Sequence, residues 1–451
     1  MKLKDIIIDS ERLFIKDQIP HEYLSDDYLG KGNPAHALIF VKTHEEVVEI
    51  AKYAFLNKIP MIPLGTRTGL AGATLPLGNE ILLDFTMMNK IISLDKETMT
   101  LTVEPGVQLQ TVQKYLESKN FFYPPDPGSK NSTIGGNVAT NAGGMRAVKY
   151  GVTRDYIKQL QVVLANGEVL NLGSLNVKDS SGYDIKDLFI GSEGTLGITT
   201  LIKLRILPLP KEVKSYIVAF DNLDEATKVV PKIIQKHIDP TAIEFFEKEM
   251  LTLAVKDTGI NFPSKIGNAF LLITLDGPQI DERATILESL VLENNSVDFL
   301  ALNTNKLSKD VWSLRDGLLK AVVNYSEQVT MDETVPINYI SSIYEYTKEL
   351  ELEYNTKLMS FGHAGDGNLH TCIIRGEDKT DAHWQIIKNE ILDKLYKRIK
   401  DYGGLPSAEH GIGLIKKEHF LTFMHPTYIA YMRKIKAVFD EFNLMNPHKV
   451  I

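Results

Sequence analysis

The chain has 451 residues, room for two or three domains, and its 43% hydrophobic and 24% charged residues are ordinary for a folded globular protein. Lys and Arg number 50 against 58 Asp and Glu, a net charge of −8, so no global basic field draws the chain to nucleic acid or anionic lipid. A single cysteine, Cys372, excludes an intramolecular disulfide and any iron–sulfur cluster held by this chain's own thiolates, and it suits a reducing cytoplasm.

Near the N-terminus charge returns at Asp9, Glu11 and Arg12, too soon for a signal-peptide core. No apolar run approaches bilayer length; the longest, 269–275, reads as a buried strand. In chain order, 38–41 is a strand, and Thr43 with Glu46 forms a capping-box pair ahead of an amphipathic helix to Leu56. Strands follow at 61–64, 80–85 and 98–104, then a helix over 107–119. The stretch 124–156 has almost no apolar periodicity and reads as one long irregular, functional segment. A strand at 161–164 turns at Asn166-Gly167. Past Pro208 and Pro210 the texture changes to amphipathic helices over 224–237, 285–294, 339–351 and 381–400, between strands, so a domain boundary is placed near Pro208.

Three glycine-rich loops mark the first half. The first is Pro63-Leu64-Gly65-Thr66-Arg67-Thr68-Gly69-Leu70-Ala71-Gly72-Ala73-Thr74, whose bare backbone and hydroxyls suit an anion. It is neither a P-loop nor the Rossmann G-x-G-x-x-G. The second runs from Asp126 to Gly144, and the third is Gly191-Ser192-Glu193-Gly194-Thr195-Leu196-Gly197-Ile198. One such loop reads equally well as a tight turn. Three in one domain point to a cradle for a pyrophosphate and a planar ring.

These loops resemble the FAD domain of the vanillyl-alcohol-oxidase or PCMH-type flavoproteins, in the branch holding D-lactate, glycolate and D-2-hydroxyglutarate dehydrogenases. The resemblance runs from about residue 36 to Asn446-Pro447. It implies an α+β fold: a two-part PCMH-type FAD-binding domain over 1–207, then an α+β substrate (cap) domain with an antiparallel sheet over 208–451, whose tail returns to the flavin. It places the FAD pyrophosphate on Gly65, Thr66, Gly69 and Leu70, after Pro63. Pro127, Ser129, Thr133, Gly136, Asn137, Asn141 and Gly144 would line the flavin and its tail, Gly197 and Ile198 the adenine side, and Asn446 would join them from the C-terminus. Some relatives attach FAD through a His in the first loop or a Cys in the second; neither is present here, so non-covalent FAD is expected.

The second half carries Phe361-Gly362-His363-Ala364-Gly365-Asp366-Gly367-Asn368-Leu369-His370. If Asp366 and Gly367 are the two residues of a tight turn, His363 falls opposite His370 and both imidazoles can reach one metal ion. Glu409, in Ser407-Ala408-Glu409-His410-Gly411-Ile412-Gly413, is a candidate third ligand; two His and one carboxylate leave open positions on Zn, Mn or Fe. The resemblance implies that His363, His370 and Glu409 are the metal ligands and His410 the catalytic base. The remaining histidines have no such company and read as structural or solvated.

Arg315, in Val311-Trp312-Ser313-Leu314-Arg315-Asp316, is either half of a structural ion pair or a fork for a carboxylate, and the resemblance assigns it the substrate carboxylate, with Asn368 beside it. Thr330 and Met331 stand where the 2-hydroxyglutarate enzymes tend to carry a basic residue, which favours a monocarboxylate such as D-lactate, then glycolate. His448 stands where relatives usually have Gly. The expected reaction is hydride transfer from a small D-2-hydroxy acid to flavin N5, with His410 as base. Reoxidation calls for an electron-transferring flavoprotein or an iron–sulfur partner subunit; a homodimer is one assembly left open. The alternatives are D-2-hydroxyglutarate oxidation, a non-redox transferase like alkylglycerone-phosphate synthase, and a flavin-binding subunit without catalysis.

Overall fold

The computed structural model describes residues 2–26 and 29–451, and the chain divides into two compact units. The first comprises 1–143, 152–209 and 409–451; the second comprises 144–151 and 210–408. Among the described residues no helix is long and apolar enough to cross a membrane.

The first unit holds two main sheets. In one, Ala37–Phe40 and Met61–Leu64 each pair in parallel with the central strand Ile81–Asp84, and Leu13–Ile15 adds an antiparallel edge. The helix His44–Asn57 buries Val47, Ile50, Ala51 and Ala54 in the same apolar cluster as Ile39, Met61 and Leu83. That i, i+3, i+4, i+7 spacing is why this segment is a helix with one apolar face. Thr43 caps it by accepting from Glu46 N at 3.2 Å. The Glu46 carboxylate in turn accepts from Lys42 N and pairs with the Arg12 guanidinium. The other sheet is antiparallel, in the order Val169–Gly173, Ile157–Val163, Ile198–Arg205, Thr100–Val103, Ile91–Asp95.

The second unit is built on an eight-stranded antiparallel sheet. Its order is Asp298–Ala301, Val213–Phe220, Ala269–Asp276, Ala242–Glu247, Lys357–His363, Asn368–Ile374 and Gln328–Thr330, with Glu333–Thr334 also pairing with Asn368–Ile374. Phe270 and Leu272 join one core cluster with the helices Lys248–Thr258, Asn305–Asp316 and Leu318–Tyr325. Leu271 and Ile273 point to the opposite face and are equally buried, under the helices Leu223–Lys228 and Ile280–Leu292. A strand covered on both faces reads as an unbroken apolar run.

Two sequence expectations need correction. The stretch 124–156 is not irregular throughout. It contains the helix Ile134–Thr140, capped by Thr133, and short helical turns at Ala147–Tyr150 and Thr153–Tyr156. Only Ile134 and Val138 supply its apolar spacing, too little for periodicity to register. The single helix expected over 224–237 is two, Leu223–Lys228 and Val230–Gln235, because Pro231 has no N–H for a continuous ladder and serves instead in the first turn of the second.

Candidate active site

In the first unit the three glycine loops converge on the helix Ile134–Thr140. Thr66 Oγ1 donates to Asn131 O at 2.9 Å, and a side chain at Gly65 would overlap Thr133 Oγ1, so the first loop lies directly on the start of the second. Gly191 N and Glu193 N donate to Val138 O and Ala139 O, which ties the third loop to the same helix. Gly194 packs against Pro63. Asn446 arrives from the C-terminal segment and donates through Nδ2 to Ala73 O at 3.1 Å and Glu193 O at 2.8 Å.

This cradle keeps polar atoms buried without a protein partner: Ser132 Oγ, Asn137 Nδ2 and Asn446 Oδ1. An orphaned buried donor or acceptor costs about 1–3 kcal/mol, so two donors and one acceptor beside a glycine surface fit a polar, ring-bearing ligand such as FAD. Gly69 and Gly128 face open space. Other residues named from the sequence also have neighbours within the protein. Asn141, in the left-handed region at φ 50°, accepts from Arg154 N at 2.9 Å. Gly197 lets the chain pass Val162 and Phe189, and Ile198 lies in the core cluster. Gly144 falls in the second unit's segment 144–151.

In the second unit the hairpin is wider than a two-residue turn. His363 pairs with Asn368, Gly362 with Leu369, and Phe361 with His370. The expected opposition of His363 and His370 is therefore corrected: the loop is the four residues 364–367. Gly365 N donates to Ile243 O and Val335 N donates to Gly367 O, so neighbouring segments bond the loop backbone and open it. A slip of two keeps each side chain on its face. The two imidazoles are diagonal neighbours, ring centroids 5.5 Å apart, both buried.

Around them is a set of buried charges. Arg315 NH2 pairs with Glu244 Oε2 at 2.5 Å, and His363 Nδ1 lies 2.8 Å from Glu244 Oε1 and 3.3 Å from Arg315 NH2. Burial pushes the Glu244 carboxyl up, but Arg315 and His363 together outweigh it and hold the group below the usual carboxylate range. His370 Nδ1 is 4.0 Å from Asp332 Oδ1. Asn368 Nδ2 donates to Asp332 Oδ1 at 3.2 Å and Glu333 O at 2.9 Å, so its amide hydrogens are engaged within the protein. Asp332 Oδ2 also accepts from Ser407 Oγ at 2.7 Å and Ala408 N at 3.2 Å, anchoring the chain where the second unit ends.

Glu409 and His410 follow at once and belong to the first unit. Residues 408–410 are a run of bends and Gly411 is left-handed at φ 80°, so the two side chains need not diverge as on a regular strand. His410 Nε2 and Glu409 Oε1 are 3.9 Å apart. The loop beyond is pinned by buried Glu193, which accepts from Ile412 N at 2.7 Å and Gly413 N at 2.9 Å.

Sequence reading missed Glu244, Asp332 and the hold of Glu193 on the loop after His410. The signal was there for Glu244, an acid inside the apolar run Ala242-Ile243-Glu244-Phe245-Phe246. A charge in a fully buried strand persists only with a partner.

Residues 209–450 match the family described as FAD linked oxidases, C-terminal domain, and residues 35–173 match an FAD binding domain. The chain is 39% identical to a D-lactate dehydrogenase of Anaerostipes hadrus, over 100% of this chain and 96% of that protein. It is 35% identical to glycolate oxidase subunit GlcD of Bacillus subtilis, over 92% of this chain and 88% of that protein. The fold superposes on p-cresol methylhydroxylase with its substrate bound at a TM-score of 0.80, with 17% identity, over 99% of this chain and 95% of that one. On two matching domains that together take in most of its length, the chain belongs to the FAD-linked oxidase family and is an FAD-dependent oxidoreductase of PCMH-type fold.

Proposed function

We propose that this chain oxidises a small D-2-hydroxy acid to the 2-oxo acid, D-lactate before glycolate, with 1–207 as the FAD domain and 208–451 as the substrate and metal domain. The observation that carries the reading is the buried pair His363 and His370 with Arg315 NH2 3.3 Å from His363 Nδ1, in a chain akin to enzymes named for D-lactate and glycolate. FAD when bound supplies the hydride acceptor, and a divalent metal (Zn, Mn or Fe) on His363, His370 and Glu409 supplies a Lewis acid. Arg315 holds the substrate carboxylate, Asn368 accepts a hydrogen bond through Oδ1, and His410 takes the hydroxyl proton.

The FAD is non-covalent on this reading. The first loop has no His, and Cys372 lies buried in the strand Asn368–Ile374 of the second unit, its thiol pushed up to about 12 by burial. Thr330 donates to Gln328 Oε1 at 2.6 Å and Met331 is buried, so neither offers a cation to a second carboxylate, which favours a monocarboxylate over D-2-hydroxyglutarate. With one thiol in the chain, electrons leave to a separate acceptor, an electron-transferring flavoprotein or an iron–sulfur subunit.

Anaerobic titration of the yellow protein tests this. D-lactate should bleach the visible flavin band while L-lactate leaves it unchanged. Metal-replete protein that stays oxidised with D-lactate, glycolate and D-2-hydroxyglutarate alike would sink the assignment and bring a non-redox transferase forward.

A further inference from the structure

Glu244 stands in the strand Ala242–Glu247 with 0% exposure. A carboxylate so placed is costly unless paired, and its two oxygens are divided between Arg315 NH2 and His363 Nδ1. An ionised carboxylate only accepts and a guanidinium only donates. Nδ1 lies 3.3 Å from the donor Arg315 NH2 but only 2.8 Å from Glu244 Oε1, and a lone pair there would face the carboxylate at the shorter contact, so Nδ1 carries the proton. In a neutral imidazole that leaves the lone pair on Nε2.

We infer that Glu244 is a positioning residue for both halves of the site: it holds His363 in the Nδ1–H form with Nε2 presented as ligand, and it fixes Arg315 by one amino group so that the guanidinium keeps its orientation toward a substrate carboxylate. The inference rests on the function proposed above. It is specific because, among the described residues, the other carboxylate paired with Arg315 is Asp316, 3.9 Å from NH1 and 46% exposed, too solvated to hold the fork. Metal-bound histidines commonly donate their second ring N–H to a carboxylate, and loss of that partner costs 10–100-fold in metal affinity.

Two variants separate the halves. Glu244→Gln keeps an oxygen for the Nδ1 proton but turns an amide NH2 toward Arg315, donor against donor. Glu244→Ala removes both contacts. The full-length, FAD-loaded protein is stripped of metal and titrated with zinc, and separately with pyruvate followed by perturbation of the flavin band. Zinc binding should weaken about 10–100-fold in Glu244→Ala and stay within about threefold in Glu244→Gln. Pyruvate should weaken at least about tenfold in both, as expected when a charge-assisted contact is lost. Long-range nitrogen–proton spectra should show the Nδ1–H form of His363 in the parent and a mixture in Glu244→Ala.

Equal loss of zinc and pyruvate in both variants, or loss of neither, overturns the inference. If Glu244→Ala does not fold, Glu244→Gln decides alone: zinc retained with pyruvate weakened supports it, and matched loss or no loss overturns it. Parent protein that binds neither zinc nor pyruvate overturns the proposed function, and the His363 tautomer then judges Glu244 separately.

Discussion

Glu193 couples a buried charge to the loop after His410. Burial pushes its carboxyl up to about 7 from an ordinary 4.5, although the N–H groups of Ile412 and Gly413 and the Lys416 charge pull it back. A native pKa above the unfolded one means that this group's contribution is fully present below about 4.5 and is lost as pH rises through about 7. Glu193→Gln does not titrate, so its unfolding free energy should fall less between pH 5 and 8 than the parent's, by about 1–3 kcal/mol, with a correspondingly flatter melting profile. Parallel melting profiles for the two proteins would contradict this. His448 finds its explanation at the same scale. Its φ is 69°, in the left-handed region, a conformation that glycine adopts without steric cost and histidine does not. His448→Gly should raise stability by up to about 1 kcal/mol, the relieved strain being partly offset by the freer unfolded chain. A lower urea midpoint would count against it.

Among the elements, the helix Pro426–Phe439 shows what a buried ion pair does for a helix end. Lys436 Nζ donates to Thr195 O at 2.6 Å, Met445 O at 2.7 Å and Asp440 Oδ2 at 2.5 Å, while Asp440 also accepts from Leu444 N and Met445 N. One side chain thus joins the third glycine loop to the segment that delivers Asn446. Lys436→Met keeps the bulk but strands Asp440 without its cation, and should cost about 3–5 kcal/mol in chemical denaturation. A loss under about 1 kcal/mol would mean that the backbone N–H groups suffice for Asp440. The hairpin 357–374 marks the limit of local reading. Asp366-Gly367 announces a turn between two strands, and the turn is there. Its width follows from bonds to Ile243 and Val335, residues far off in the chain, and no local pattern contains them. The histidines still share a face because a change of two residues preserves parity.

At the scale of the molecule, the first unit is assembled from three separate stretches of chain. Leu444 and Met445 are buried in the cluster that also holds Ile39, Met61 and Leu83, and Met61 exchanges backbone hydrogen bonds with Leu444 and Asn446. A fragment ending at residue 209 therefore lacks part of its own core. It should bind a hydrophobic dye and lose flavin on gel filtration, and a fragment that keeps FAD with native near-UV dichroism would refute this. Composition and spacing by themselves determined much: two textures of chain, three glycine loops, the apolar strand 269–275, and a His-rich hairpin with a Glu-His pair after it. These are legible because strand and helix periods, glycine clusters and turn pairs act over a few residues. Only the tertiary structure decided that Glu244 sits behind His363 and Arg315, that Glu193 grips the loop beyond His410, and that residues 444–446 complete the first core. Each of those is a pairing of buried polar or apolar groups across hundreds of residues or between distant strands, where the free energy of burial selects the partner and sequence distance leaves no trace.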